Sequence, residues 1–305
     1  MQRARLDRRG LLRMSAGLGT AALLGAGPAR AQTILRPIPA TGELVPVVGM
    51  GSWITFNVGH DLDLRAQRTE VLRAFFEGGG TVIDSSPMYG SSEEVIGWGL
   101  ERLGERPLFA ATKVWTPLAM LGPQQMEHSR ELWGVERFDL MQIHNLVAWE
   151  GHLETLLADK AEGRIRLVGM TTSHGQRHEE IAAVMAGGQL DAVQFSYSIT
   201  VREAEQRLLP LAAERGLAVL INRPFNQGSL LDSLAGKPLP PFAAEIGCTS
   251  WAQFCLKFVI SHPAVTCAIP ATTRVDHMRE NMATMAGPLP DPAMRERMAR
   301  YVREL

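Results

Sequence analysis

Short apolar runs recur along this chain, separated by charged stretches with helical spacing. The apolar runs are VVGMGS, TVIDS, LFAATKV, LMQIHN, LVGMT, AVQFSYS, AVLINRP and VTCAIPA, eight in all. The stretches between them include RAQRTEVLRAFFEG, SEEVIGWGLERLG, LETLLADKAEG and EAEQRLLPLAAERG, the last placing Leu208, Leu211 and Ala212 on one helical face. Strands that are apolar on both faces need helices to cover them. Eight such repeats over roughly 270 residues predict an α/β fold, a closed (β/α)8 TIM barrel. An open doubly wound sheet would carry GxGxxG directly after a strand. The nearest stretch, GMGSW at Gly49 to Trp53, lacks it. Ahead of the first run, ILRPIPATGELVPV predicts two short strands about a turn at Ala40 to Glu43. Helices are expected near Thr249–His262, with Trp251, Phe254, Cys255 and Phe258 as a core stripe, and near Asp291–Arg303.

The first thirty-one residues follow another pattern. Arg3, Arg5, Arg8, Arg9 and Arg13 precede a weakly apolar Gly/Ala/Leu run that ends in Ala29-Arg30-Ala31. This reads as a signal peptide cut after Ala31. DRRGLLR resembles a twin-arginine export signal, with Arg8-Arg9 as the pair. That resemblance implies the export machinery as a partner, export in the folded state, and a periplasmic location. A cytoplasmic one follows if the signal is not used. The expected domains are therefore a signal over 1–31 and one barrel over 32–305, with a monomer as the expected state.

Bulk composition narrows the function. The chain has 305 residues, 46% of them hydrophobic, with 31 Lys+Arg against 32 Asp+Glu. That balance gives no general attraction to nucleic acid or anionic lipid. No run beyond the first thirty residues is apolar and long enough to span a bilayer. Cys248, Cys255 and Cys267 lack CxxC spacing and read as small core hydrophobes. His174 and His178 are four apart, but no third ligand accompanies them. They read as the start of a surface helix, and no metal site is expected.

Chemistry in such a barrel gathers at the carboxyl ends of the strands. The second run ends in Asp84, with Tyr89 just beyond; the third ends in Lys113 and the fourth in His144. An ammonium beside a phenol favours phenolate, and a carboxylate beside the ammonium keeps it charged when buried. The imidazole can orient a carbonyl oxygen while Tyr89 donates its proton. No side-chain set supplies the other electron pair, so a hydride-carrying cofactor is implied.

These residues resemble the catalytic tetrad of the aldo/keto reductases. The run TVIDS with the SPMYG that follows it, LFAATKV, FDLMQIHN, RIRLVGMTTS and IPATTRVDHMRENMATM each resemble a family motif, in order, across about residues 42–287. The resemblance implies a hairpin closing the barrel bottom, NADPH lying across its top (NADH being possible), and hydride transfer to an aldehyde or ketone. It assigns Tyr89 as general acid, Lys113 and Asp84 as its tuners and His144 as the orienting group. For the cofactor it implies Gly51 and Ser52, with Trp53 at the nicotinamide and substrate, and Thr171, Thr172 and Gln194 at the carboxamide. Asn222 would stand at the nicotinamide, and Arg223, Pro224, Phe225, Gly228 and Leu230 would lie along its ribose and the pyrophosphate. Pro270, Ala271, Thr272, Thr273, His277, Glu280 and Asn281 would surround the adenosine end.

The chain departs from the family pattern at several places. Thr172 stands where an asparagine is usual, and Asn222 where an aromatic often stacks on nicotinamide, leaving Phe225 as a weak substitute. Ala271 stands where a lysine often follows Ile-Pro, and His277 where an arginine often holds the 2′-phosphate, so Arg274 or Arg279 would take that part. Trp53, Met88, Trp115 and Trp149 read as an apolar substrate wall or a cap on the core. LLDSLAGKPLPPFAAEIG reads as a cofactor flap or a solvated linker. Two other function classes stay open: a non-catalytic cofactor- or partner-binding barrel, and a barrel hydrolase or aldolase using Lys113 as a nucleophile.

Overall fold

A computed structural model describes residues 33–305, and the expected export signal over 1–31 lies outside the described residues. The chain first forms an antiparallel hairpin, β1 (Leu35–Pro37) and β2 (Leu44–Pro46). Eight parallel strands follow: β3 (Met50–Gly51), β4 (Val82–Asp84), β5 (Phe109–Val114), β6 (Phe138–Ile143), β7 (Ile165–Thr171), β8 (Ala192–Ser196), β9 (Ala218–Asn222) and β10 (Cys267–Ala268). Each pairs with its neighbour in chain order. The ring is completed by a bridge between Val48 and Ala268. Gly49 N–H donates to Ala268 O at 2.8 Å and Ala268 N–H to Val47 O at 2.9 Å. The closing seam is thus a few bonds rather than a full strand ladder.

Helices wrap the strands: α1 (Leu62–Glu77), α2 (Ser92–Leu103), α3 (Gly122–Trp133), α4 (Trp149–Ala161), α5 (His178–Ala186), α6 (Leu208–Arg215), α7 (Ser229–Leu234), α8 (Trp251–Ile260), α9 (Val275–Ala283) and α10 (Pro292–Arg303). Local chemistry sets their ends. Asp61 caps α1 by accepting the Leu64 N–H at 2.9 Å, satisfying a donor the helix cannot. Gly78 ends it where a Cβ would lie 2.6 Å from Met282. Val71, Leu72 and Phe75 bury the inner face of α1.

Strand alternation divides the apolar residues into two cores. On β6, Met141 and Ile143 face the helices with Phe75, Val114 and Val168. Leu140 faces the barrel interior and meets Phe109, Leu167, Ala218 and Leu220 there. Ile38 and Val45 of the hairpin segment join this inner cluster and plug the bottom of the barrel. Arg36 fastens the hairpin by donating to His262 O at 2.7 Å and also to Val265 O. With that end filled by apolar side chains, interior polar residues are left to the strands' carboxyl ends.

The stretch over 230–247, expected as a cofactor flap or a solvated linker, is not a solvated linker. Leu230, Leu234, Phe242, Ala243 and Ile246 are buried in the outer core, so α7 and a 3-10 turn at Pro241–Ile246 carry this stretch. Its apolar residues recur at helical spacing despite the prolines between them. Cys248, Cys255 and Cys267 are free and buried, and His178 opens α5.

Candidate active site

β4 delivers the first carboxylate. Asp84 ends that strand only 2% exposed. Ser86 then caps a single 3-10 turn, Pro87–Tyr89: its hydroxyl oxygen accepts the Met88 N–H at 3.2 Å, and its carbonyl accepts the Tyr89 N–H at 2.9 Å. Proline presets the turn's backbone. The next residue must be glycine. Gly90 has φ of 61°, and a Cβ there would lie 2.4 Å from Asn57 Oδ1. Tyr89 is therefore aimed by a short, tightly determined loop.

Lys113 on β5 is fully buried and reaches across to this strand end. Its Nζ donates to Asp84 Oδ2 at 2.5 Å and to Ser85 O at 2.6 Å. It also lies 5.2 Å from the centre of the Tyr89 ring. The second Asp84 oxygen accepts from Gln142 Nε2 at 2.8 Å and from Gln194 Nε2 at 3.0 Å. Gln142 pairs in register with Lys113, and Gly169 on the next strand leaves room for it, since a Cβ there would lie 2.9 Å from Gln142 Cγ. His144 follows β6, with Nδ1 2.9 Å from Ser86 Oγ and its ring edge-on to Tyr89 at 5.6 Å.

Electrostatics fix the resting protonation states. Burial alone would discharge Lys113, but Asp84, then Tyr89, hold its pKa above the ordinary lysine value. Burial and the Lys113 charge push His144 down to about 3, so the imidazole is neutral throughout the neutral range. The phenol corrects the sequence expectation. Lys113 does pull the Tyr89 pKa down, but burial outweighs it, with Asp84 adding to the rise, and the net shift is upward. Tyr89 rests as a protonated phenol that Lys113 makes less reluctant to ionise than burial alone would.

A fifth ionisable group stands behind the cluster. Glu93 on α2 is 1% exposed. Its oxygens accept from Thr112 Oγ1 at 2.5 Å, Ser129 Oγ at 2.8 Å and Trp133 Nε1 at 3.2 Å. Burial raises its pKa against these donors, and its charge supports Lys113 from the rear.

Asp84, Tyr89, Lys113 and His144 thus meet as the sequence predicts. The residues expected around a cofactor are more varied. Gln194 is tied inward, to Asp84, to Gln142 Oε1 at 3.0 Å and to Asn222 Nδ2 at 3.3 Å. Asn222 Nδ2 also donates to Thr172 O at 3.0 Å, and its Oδ1 accepts from Ser196 Oγ at 2.7 Å. The Thr172 hydroxyl donates to Gln176 O at 2.5 Å, while the Thr171 hydroxyl oxygen accepts the Asn145 N–H at 3.1 Å. Ser52 Oγ donates to Asp84 O at 3.1 Å and lies 2.8 Å from the Ser85 hydroxyl, and Gly51 is buried against Ile269 O. Pro224, Leu230, Pro270, Thr272 and Asn281 are buried, Gly228 and Glu280 half-buried, and Ala271, Thr273 and His277 exposed. Phe225 packs against the outer core. Arg223 bonds to His174, and Arg274 is held by Asp276.

Three polar residues were not singled out from the sequence. Gln142 lies two positions before His144 on the same strand face, an alternation visible in LMQIHN. Ser86 and Glu93 stand three residues before and four after Tyr89 but carry no spacing signal of their own. Of the expected apolar wall or cap, Trp53, Met88 and Trp115 are exposed at the ends of β3, β4 and β5. Trp149 instead opens α4, half-buried, and donates to Glu180 Oε1 at 3.1 Å. A groove of about 920 Å³ between α3 and α4, lined by Met126, Arg130 and Asp159, shares no residue with this cluster.

The donor set suits a dinucleotide. Side-chain amides and hydroxyls rim the ends of β7 to β9, guanidinium groups stand at Arg223, Arg274 and Arg279, and left-handed backbone at Arg223, Asn226 and Gln227 shapes the loop between them. Such conformations in non-glycine residues concentrate at functional loops.

Comparisons with known proteins bear on the family, the fold and the cofactor. A family model described as the aldo/keto reductase family matches residues 47–298. Methylglyoxal reductase YeaE of Escherichia coli is 30% identical over 262 residues, covering 82% of this chain and 89% of that protein. The NADH-specific methylglyoxal reductase of the same organism is 24% identical, covering 82% and 92%. An aldo/keto reductase from Klebsiella pneumoniae, solved with NADP and acetate, superposes with a TM-score of 0.74 at 26% identity, covering 86% of this chain and 93% of that one.

Proposed function

The chain belongs to the aldo/keto reductase family, and from that premise we propose that it reduces an aldehyde or ketone with a hydride from NADPH or NADH, Tyr89 serving as the proton donor. The observation that carries this reading is the buried Lys113–Asp84 pair beside the Tyr89 phenol. A pure binding barrel has no use for an ion pair so costly to bury. Lys113 bonded to both Asp84 and Ser85 O is also a poor candidate for a free amine nucleophile, which argues against the aldolase reading.

A nicotinamide held by these residues would supply the hydride. His144 and Tyr89 hold the carbonyl oxygen between them. As charge develops on that oxygen, Tyr89 releases its proton to it, and Lys113 stabilises the phenolate that remains. Asp84 keeps Lys113 charged and in place. Thr171, Thr172, Gln194 and Asn222 line the expected carboxamide end, with Gly51 and Ser52 beneath. Arg223, Pro224, Phe225, Gly228 and Leu230 are assigned to the pyrophosphate side. Pro270, Ala271, Thr272, Thr273, His277, Glu280 and Asn281 are assigned to the adenosine. Trp53, Met88 and Trp115 give the substrate side an apolar wall.

NADPH binding is supported by the Klebsiella relative solved with NADP, and NADH use by the NADH-specific relative. Fluorescence titration of the protein with each dinucleotide tests the reading; no affinity for either would end it. Arg274→Ala is expected to weaken NADPH more than NADH, because a guanidinium grips a phosphate in two-pronged fashion. Equal weakening would remove Arg274 from the 2′-phosphate.

Export by the twin-arginine route is the reading of residues 1–31, supported by Arg8-Arg9, Leu11-Leu12 and the small residues at 29 and 31. Amino-terminal sequencing of periplasmic protein should begin at Gln32; an intact Met1 on all the cellular protein would refute it.

A further inference from the structure

The hydroxyl of Ser86 touches the His144 ring and caps the turn that carries Tyr89. Ser86 is fully buried. Its oxygen contacts the Met88 N–H at 3.2 Å and His144 Nδ1 at 2.9 Å. An amide N–H can only donate, so the first contact uses an oxygen lone pair. The hydroxyl hydrogen has no other acceptor among the described residues than His144 Nδ1. If Nδ1 carried the ring's proton instead, that hydrogen would be buried without a partner, an arrangement folded proteins avoid. A neutral imidazole that accepts at Nδ1 must carry its proton on Nε2.

We infer that Ser86 is a positioning residue that fixes His144 as the Nε2–H tautomer, so that the ring presents a hydrogen-bond donor to the substrate carbonyl beside Tyr89. The inference rests on the reductase reading for its consequence, since that reading gives His144 a carbonyl to orient. The opposite tautomer would set a nitrogen lone pair against the carbonyl oxygen and repel it. The same hydroxyl also caps the turn that carries Tyr89. One buried side chain therefore registers the proton donor and the orienting donor relative to each other.

The test is nitrogen NMR of the full-length protein labelled with ¹⁵N-histidine, with His144 assigned by comparison with His144→Gln. Wild-type protein should show a protonated Nε2 and an acceptor Nδ1. Ser86→Ala should redistribute the proton towards Nδ1 and lower kcat about tenfold, a partial loss of one oxyanion donor, with cofactor affinity unchanged. Ser86→Thr, which keeps the hydroxyl, should restore both the tautomer and the rate. A wild-type Nδ1–H tautomer would overturn the inference, as would a Ser86→Ala protein that keeps Nε2–H and full kcat. The spectrum needs no turnover, so it can fail while the reductase reading stands, and that reading can fail on Tyr89→Phe while the tautomer holds.

Discussion

Tyr89→Phe is expected to slow carbonyl reduction by about 10²- to 10⁴-fold, the usual worth of a positioned proton donor, while leaving nicotinamide affinity essentially unchanged. The substitution removes one oxygen and keeps the ring that lies edge-on to His144, so the loop at Pro87–Tyr89 should keep its course. A protonated phenol is the resting state, because burial raises its pKa more than Lys113 lowers it. The loss should therefore fall on kcat for an accepted aldehyde or ketone and be absent from fluorescence titration with NADPH. Wild-type turnover by the variant would show that another group protonates the oxygen.

The second large effect concerns the ion pair. Lys113→Met leaves the Asp84 carboxylate buried with only Gln142 and Gln194 as donors. Asp84→Leu leaves a fully buried ammonium with one carbonyl. Each single change should cost about 3–5 kcal/mol of stability, the usual penalty for stranding a buried charge. The double variant Asp84→Leu/Lys113→Met strands neither and should recover most of that stability while remaining inactive. Urea unfolding of the three variants measures it. A double variant as unstable as the sum of the singles would mean that the pair is not the unit the geometry implies.

The barrel was readable because its strands are apolar on both faces and its helices keep regular spacing. The tetrad was readable because each member stands at or just beyond a strand's end, where the fold itself brings them together. What lay beyond reach were the quantities set by distance. Whether Lys113 or burial governs Tyr89 depends on ångströms that no spacing encodes. The hydroxyl of Thr172 turns to Gln176 because of the path of the loop after β7, and the amide of Gln194 turns inward because Asp84 and Gln142 reach it first. Prolines between 236 and 242 masked a segment whose apolar residues reach the core. Trp149 resembles its exposed counterparts by composition alone; starting a helix draws it against the outer core.

The seam that closes the ring has a consequence for synthesis. Arg36 bonds to Val265, 229 positions away, and Val48 bridges to Ala268. A growing chain therefore cannot complete the cylinder until its final strand has left the ribosome, and contacts so distant along the chain slow the last stage of folding. Until then the edges of β3 and the newest strand stay unpaired and adhesive, so nascent chains of this protein should be steady clients of holding chaperones.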